Sequence, residues 1–367
     1  MHLFVRTVLF IGSTIALAGI GWFIISGQPW TLILYNNLLA ASSIIGLLVV
    51  ISVRKLSDKY LVLPNRGVLA VGTFIFAAEA LYSNLSGLFG YQTWPIFGWL
   101  GFIALLFSIA FVAAQMTFAS ERRLIAIENE LETARQIQSS ILPASIPELE
   151  KLSVVARCHP MTAVAGDFYE FIRIDSQRAG FLIADVSGHG VPAALIASMI
   201  KIAVQSVSDS ADNPGEVMQW LNKILGNQLQ GQFVTAAYLY LDTATSQAQY
   251  SAAGHPPLLY WDSEAKQTRY IESNGLPLGV ESNVGYPVLK FPFKNRDRFL
   301  LYTDGVIEPE NSNDEAFGDA RLSEVVYSYE KSSAKELSDG ILKELMLWQP
   351  PKNSQQDDIT FIIIDVV

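Results

Sequence analysis

Four short stretches of this sequence set an aspartate among small residues: Ala165-Gly166-Asp167-Phe168-Tyr169-Glu170, Asp185-Val186-Ser187-Gly188-His189-Gly190, Leu301-Tyr302-Thr303-Asp304-Gly305 and Gln356-Asp357-Asp358-Ile359-Thr360. Each borders a run of β-branched or aromatic residues. Each carboxylate is therefore expected where a strand gives out, with glycine letting backbone and solvent come close. Carboxylates gathered in one cleft repel one another unless cations lie between them. An all-oxygen donor set of that kind suits Mg²⁺ or Mn²⁺ over zinc. Taken singly the stretches say little, because Asp-Gly is an ordinary turn.

The elements that must carry these acids are legible in the hydrophobic pattern. Residues 180–185 read as a buried strand that delivers an acid at its end, and further strands are expected at 233–241, 248–253, 258–261, 298–302 and 359–366. Residues 191–207 are apolar at helical spacing, and 214–229 form a second helix with Asn213 as its N-cap. Many strands joined by short turns, with the helices in a block between them, favour an α+β sandwich over a doubly wound parallel sheet.

Upstream, residues 119–142 are polar, strongly helix-forming and free of Gly and Pro until Pro143, with Pro147 following. Leu124, Ile127, Leu131, Ala134, Gln138 and Ile141 recur at alternating spacings of three and four. That seam fits a short parallel coiled coil, hence a homodimer through 119–142 with Gln138 as a polar core position that sets register. A helix packed on its own domain would give the same pattern. Three regions result: 1–118, a linker helix at 119–145, and a catalytic domain at 146–367.

The first region is of another kind. Apolar runs at roughly 4–25, 31–53, 68–90 and 94–118 are each long enough to cross about 30 Å of hydrocarbon as a helix. Arg54, Lys55, Lys59 and Arg66 lie between the second and third runs, whereas the turns at 27–29 and 90–93 carry no charge. Positive charge stays on the cytoplasmic side, so a four-helix bundle in a bacterial inner membrane, with both ends cytoplasmic, is expected. Glu79 is the one acid at membrane depth: either a functional group or a protonated acid bonded to Asn84, Ser83 or Asn36. Residues 1–118 hold five basic and two acidic residues, leaving 20 basic and 33 acidic for 119–367, a net charge of −13. So acidic a half argues against a nucleic-acid partner. Cys158 is the only cysteine, so no intrachain disulfide can form.

From about residue 130 to the C-terminus, nearly two-thirds of the chain, the sequence resembles the sporulation and sigma-factor-regulating (SpoIIE/RsbU-like) branch of the protein phosphatase 2C, or PPM, superfamily. Besides the four acidic stretches, the resemblance rests on Ala134-Arg135-Gln136-Ile137-Gln138 with Leu142-Pro143, on Phe233-Val234-Thr235, on Ala253-Gly254-His255 and on Pro277-Leu278-Gly279. It implies an αββα sandwich of two antiparallel sheets flanked by helices, with two Mn²⁺ or Mg²⁺ ions at one end. Carried over, Asp185 would bridge both ions, aided by the Val186 carbonyl. Asp167 would hold one ion mainly through water, and Asp304 and Asp357 the other. Water acidified between the cations would attack phosphorus in line, with no protein nucleophile. In keeping with this, Cys158 precedes His159-Pro160 without the Gly-rich, Arg-bearing cradle of a thiol phosphatase.

His189, four residues after Asp185, is the candidate acid for the leaving serine oxygen. The comparable histidine of the eukaryotic branch stands two residues after the bridging acid, where this chain has Ser187. His255 either orients backbone or touches substrate, and Asp358 is expected to support a ligand. The implied activity is hydrolysis of phosphoserine or phosphothreonine on a small regulatory protein, an anti-sigma-factor antagonist. The competing readings are a metal phosphohydrolase of a small molecule and a non-catalytic membrane sensor that signals by binding.

Overall fold

A computed structural model describes residues 14–15, 17–27, 65–88, 97–207, 210–226, 228–229, 231–272, 275–349 and 355–367. The expected span at 31–53, most of its flanking charge and the uncharged turn at 90–93 lie outside the described residues, as do Asn36 and the side chain of Asn84. The chain divides into two compact units, 1–127 and 128–367.

In the first unit the third and fourth apolar runs are helices, α1 (Arg66–Leu88) and α2 (Phe97–Ile141). Among the described residues one helix, Trp99–Ile141, is long and apolar enough to cross a membrane; Leu17–Ser26 and Gly67–Ser83 are shorter apolar helices. Small residues let α1 and α2 approach closely. A Cβ at Gly101 would come 2.7 Å from Glu79 Oε2, and one at Gly72 would come 2.2 Å from Ser108 Oγ. The sequence places a junction near 118/119, but α2 runs through it unbroken to Ile141.

The described residues of the second unit form ten strands: β1 (Leu152–His159), β2 (Phe168–Arg173), β3 (Arg178–Val186), β4 (Val234–Asp242), β5 (Gln247–Ala253), β6 (Leu258–Asp262), β7 (Gln267–Ile271), β8 (Leu289–Pro292), β9 (Arg298–Tyr302) and β10 (Ile359–Val366). They form two five-stranded sheets, ordered β1-β10-β9-β6-β7 and β2-β3-β4-β5-β8. Every strand pairing is antiparallel. Phe181, Ile183, Ala237 and Leu239 of one sheet meet Phe299, Leu301, Ile362 and Ile364 of the other in a core between the sheets. Helices α3 (Val191–Gln205) and α4 (Pro214–Leu225) cover one outer face. Helices α5 (Gly318–Ser328) and α6 (Ala334–Trp348) cover the other. This is the αββα sandwich. With both sheet faces covered, strands such as β3 are buried almost throughout, which is why they read as continuous apolar runs and not as alternation.

Four expectations need correction. Among the described residues this unit carries four helices flanking its sheets, two more than the clear helical stretches of the sequence, and α6 is announced by a capping box between Ser333 and Glu336. The helix expected over 214–229 ends at Leu225. Asn213 occupies the N-cap position of α4 without capping it, its Nδ2 donating instead to Glu216 Oε1 at 2.9 Å. Finally, Gln138 is not turned toward an intermolecular seam. Its Nε2 donates to the Ala165 carbonyl (2.5 Å) and its Oε1 accepts from the Ala165 N–H (2.8 Å). A primary amide offers a donor and an acceptor side by side, so it docks on the N–H and C=O of one residue as a neighbouring strand would. Ile141 and Leu142 pack on the α3–α4 side of the sandwich, so the end of α2 belongs to the catalytic unit.

Candidate active site

Antiparallel pairing explains how acids far apart in sequence meet. Phe168 pairs with Ala184, so Asp167, just before β2, and Asp185, near the end of β3, share one end of their sheet. In the other sheet Tyr302 pairs with Phe361, so Asp304, past the end of β9, and Asp357, before β10, also share an end. Thr303 Oγ1 donates to Asp167 Oδ2 at 2.8 Å and joins the two ends across the sandwich. All four acids singled out in the sequence thus converge on one site.

The backbone around them is drawn tight. Asp358 accepts from the N–H groups of Met161 and Gly166, both at 2.6 Å, and so holds the loop leading into Asp167. It is a support, as its place beside Asp357 suggests. A Cβ at Gly166 would come 3.1 Å from the Val186 carbonyl oxygen, which brings that oxygen beside the Asp167 turn. A Cβ at Gly305 would come 1.8 Å from the Asp358 carbonyl oxygen, so only glycine fits there. His189 lies exposed in the turn between β3 and α3, with no described hydrogen bond to the acids.

One member of the cluster was missed in the sequence. Carboxylate oxygens of Asp304, Glu308 and Asp357 lie within 4.8 Å of one another. The turn Asp304–Val306 brings Glu308 back, its N–H donating to the Asp304 carbonyl at 2.8 Å. An acid four residues after an Asp-Gly turn was the available signal. Glu308 and Asp357 open onto a cleft of about 480 Å³ whose walls include Gly305, Glu310 and Gln356.

Burial and mutual repulsion raise the proton affinities here. Burial, then the charges of Asp304, Asp357 and Asp358, push Asp185 up to about 7. Burial, then Glu308 and Asp357, push Asp304 to about 6. Asp167, fully enclosed, lies well above the usual carboxylate range through burial and then the charge of Asp185. Among the described residues no lysine or arginine forms an ion pair with these acids or with Glu308 and Asp357. An uncompensated, oxygen-only cluster is the donor set that hard divalent cations take, so the residues fit the expected ions. Burial raises the Cys158 thiol to about 12, which leaves it a poor nucleophile.

Residues 175–367 match the family described as Stage II sporulation protein E (SpoIIE). The chain belongs to the SpoIIE family. The match takes in Asp185, Asp304 and Asp357, while Asp167 precedes it. The chain is 30% identical over 239 residues to phosphoserine phosphatase RsbU of Bacillus subtilis, covering 65% of this chain and 70% of RsbU. It is likewise 30% identical over 244 residues to phosphoserine phosphatase RsbP of the same organism, covering 65% of this chain and 58% of RsbP. Among solved structures it resembles the SiaA-PP2C domain of Pseudomonas aeruginosa, with a TM-score of 0.59, 21% identity and coverage of 66% of this chain and 98% of that one. The fold is accordingly PP2C-like.

Proposed function

We propose that this chain is a membrane-anchored protein serine/threonine phosphatase that hydrolyses a phosphoserine or phosphothreonine ester on a regulatory protein at a two-cation carboxylate site. The observation that carries the reading is the convergence of Asp167 and Asp185 from one sheet with Asp304 and Asp357 from the other, with no basic partner among the described residues. The names of RsbU and RsbP supply the ester class. An anti-sigma-factor antagonist is the substrate protein in this reading.

Asp185, the Val186 carbonyl, Asp304, Asp357 and Asp167 would hold the two ions. Mn²⁺ or Mg²⁺ held there supplies Lewis acidity toward water and charge neutralisation for phosphoryl oxygens. The protein's own part is to keep four acids together against their repulsion, by burying Asp167 under Thr303 and by clamping its loop with Asp358. His189, exposed beside the site, is the group available to protonate the leaving serine oxygen.

Residues 1–118 would anchor the chain as a four-span bundle with both ends cytoplasmic, supported by the apolar helices described above and the charge of the 54–66 segment. The segment 119–145, helical as far as Ile141, would be the regulatory link into a catalytic domain at 146–367. The Gln138–Ala165 contact supports that role, since it reaches the loop that carries Asp167. Dimerisation through 119–142 would use the part of the seam still open, where Leu124 and Ile127 are exposed.

The test is hydrolysis by the purified full chain, with and without Mn²⁺, of a phosphoserine protein and of nucleotides, alongside Asp304→Asn. Mn²⁺-dependent release of phosphate from the protein substrate, lost in the variant, is expected. Equal metal-independent rates in both chains would sink the two-cation reading, and much faster nucleotide cleavage would favour a small-molecule substrate.

A further inference from the structure

His255 lies in the short connection by which the chain leaves β5 in one sheet for β6 in the other. It is buried, only 6% exposed, and burial holds the ring neutral with its pKa down to about 3. Its Nδ1 lies 3.0 Å from Thr235 Oγ1. Thr235 is the cross-strand partner of Asp185. Ile183 of β3 and Ala237 of β4 both enter the core between the sheets, so Asp185 and Thr235, two residues away on each strand, stand on that same face. Directly opposed residues have Cβ atoms roughly 5 Å apart, so the placement of one constrains the other.

The ring also lies near the backbone of Tyr302 in the second sheet, although its Nε2 has no hydrogen-bond partner. Tyr302 is the last residue of β9, and Asp304 follows two residues later. One rigid ring therefore sits between Thr235, opposite Asp185, and Tyr302, two residues before Asp304.

We propose that His255 is a positioning residue, a strut that acts through Thr235 and the Tyr302 backbone to set the separation of Asp185 and Asp304, and hence the spacing of the cations they bind. The proposal rests on the two-cation reading given above. No proton moves through the ring; a neutral imidazole adds no charge to the site, and its planar shape holds a fixed span that a flexible side chain would not. The acids repel one another, and a support that keeps them at binding distance is worth cation affinity.

The experiment measures Mn²⁺ binding by calorimetry to the full chain in detergent micelles, for His255→Leu, Thr235→Val, the double variant, His255→Asn and Asp185→Asn. Thermal unfolding in chelator checks that each folds. His255→Leu and Thr235→Val are each expected to weaken Mn²⁺ binding by about tenfold, the range found when outer supports of metal ligands are removed. The double variant is expected to lose no more than the worse single variant, because one strut is removed once. Asn restores a polar contact to Thr235 but not the reach to Tyr302, and is expected to recover only part of the affinity lost in the leucine variant. Phosphatase activity at saturating Mn²⁺ is expected to fall less than the affinity. Wild-type binding in Thr235→Val, additive losses in the double variant, or no recovery with Asn would each overturn the strut. Undiminished binding in Asp185→Asn would instead overturn the cation site itself.

Discussion

Acidification is expected to strip divalent cations from this protein over a range where ordinary carboxylates stay charged. Asp185, raised to about 7, and Asp304, raised to about 6, must both lose their protons before a cation can sit between them. From about pH 8 to about pH 5 the first becomes protonated in all but roughly one molecule in a hundred, and the second in all but about one in ten. Apparent Mn²⁺ affinity therefore falls by on the order of a thousandfold across that range. Carboxylates at the unperturbed value of 3.8 would lose almost nothing.

Folding stability carries the opposite sign without metal. The native state retains protons that the unfolded chain has already released, so this source of stability is full below about pH 4 and is lost as pH rises through about 6 to 7. Cation binding reverses the trend, because it selects the charged acids. Titrating Mn²⁺ by calorimetry at several pH values, in buffers of different ionisation enthalpy, would count the protons released and give the slope. Melting curves in chelator and in excess Mn²⁺ would give the two signs. An affinity that changes less than about threefold between pH 5 and 8, or melting curves that move together with pH, would refute the reasoning.

Two substitutions test the frame around the site. Gly305→Ala puts a methyl group 1.8 Å from the Asp358 carbonyl oxygen, and is expected to cost about 2 kcal/mol or more of stability and to lower Mn²⁺ affinity; chemical denaturation with a parallel Mn²⁺ titration would show it. Gln138→Ala removes the partners of both the N–H and the carbonyl of Ala165, and is expected to cost about 1–2 kcal/mol and to raise amide exchange at Ala165; unchanged exchange there would mean that the end of α2 does not hold the loop.

Local pattern reached far in the strands and acids. Residues 298–302 and 359–366 read as strands over the same bounds that the structure shows, because buried β-branched and aromatic runs end sharply at turns. Asp167, Asp185, Asp304 and Asp357 stand in small-residue turns, each ordinary alone, and it was the family resemblance that joined them into one expected site. Strands β1, β2, β7 and β8 were not legible, and β7 and β8 are partly exposed and short, which leaves little hydrophobic signal. Glu308 was missed because it follows the turn and reaches the site only when the chain doubles back after Asp304.

Gln138 shows the limit most clearly. Its spacing with Leu131, Ala134 and Ile141 is fully compatible with a coiled coil, and the sequence leaves open whether such a helix packs on a second copy or on its own domain. The partner it uses, the Ala165 peptide, is 27 residues away and is brought within reach only by the folded β1–β2 connection. The same holds for His255, whose motif marked it out without saying what it touches; its position between the two sheets depends on the β5–β6 crossover. The sequence by itself singled out the acids, through their family resemblance, and set the apolar and acidic division of the chain and most of the central strands, which depend on residue type and local period. Tertiary structure decided which acids face one another, how far burial and repulsion raise their proton affinities, and which polar side chains hold them in place. Those properties depend on distances between residues more than a hundred positions apart, such as Thr303 and Asp167, and antiparallel pairing sets them only when both sheets have formed.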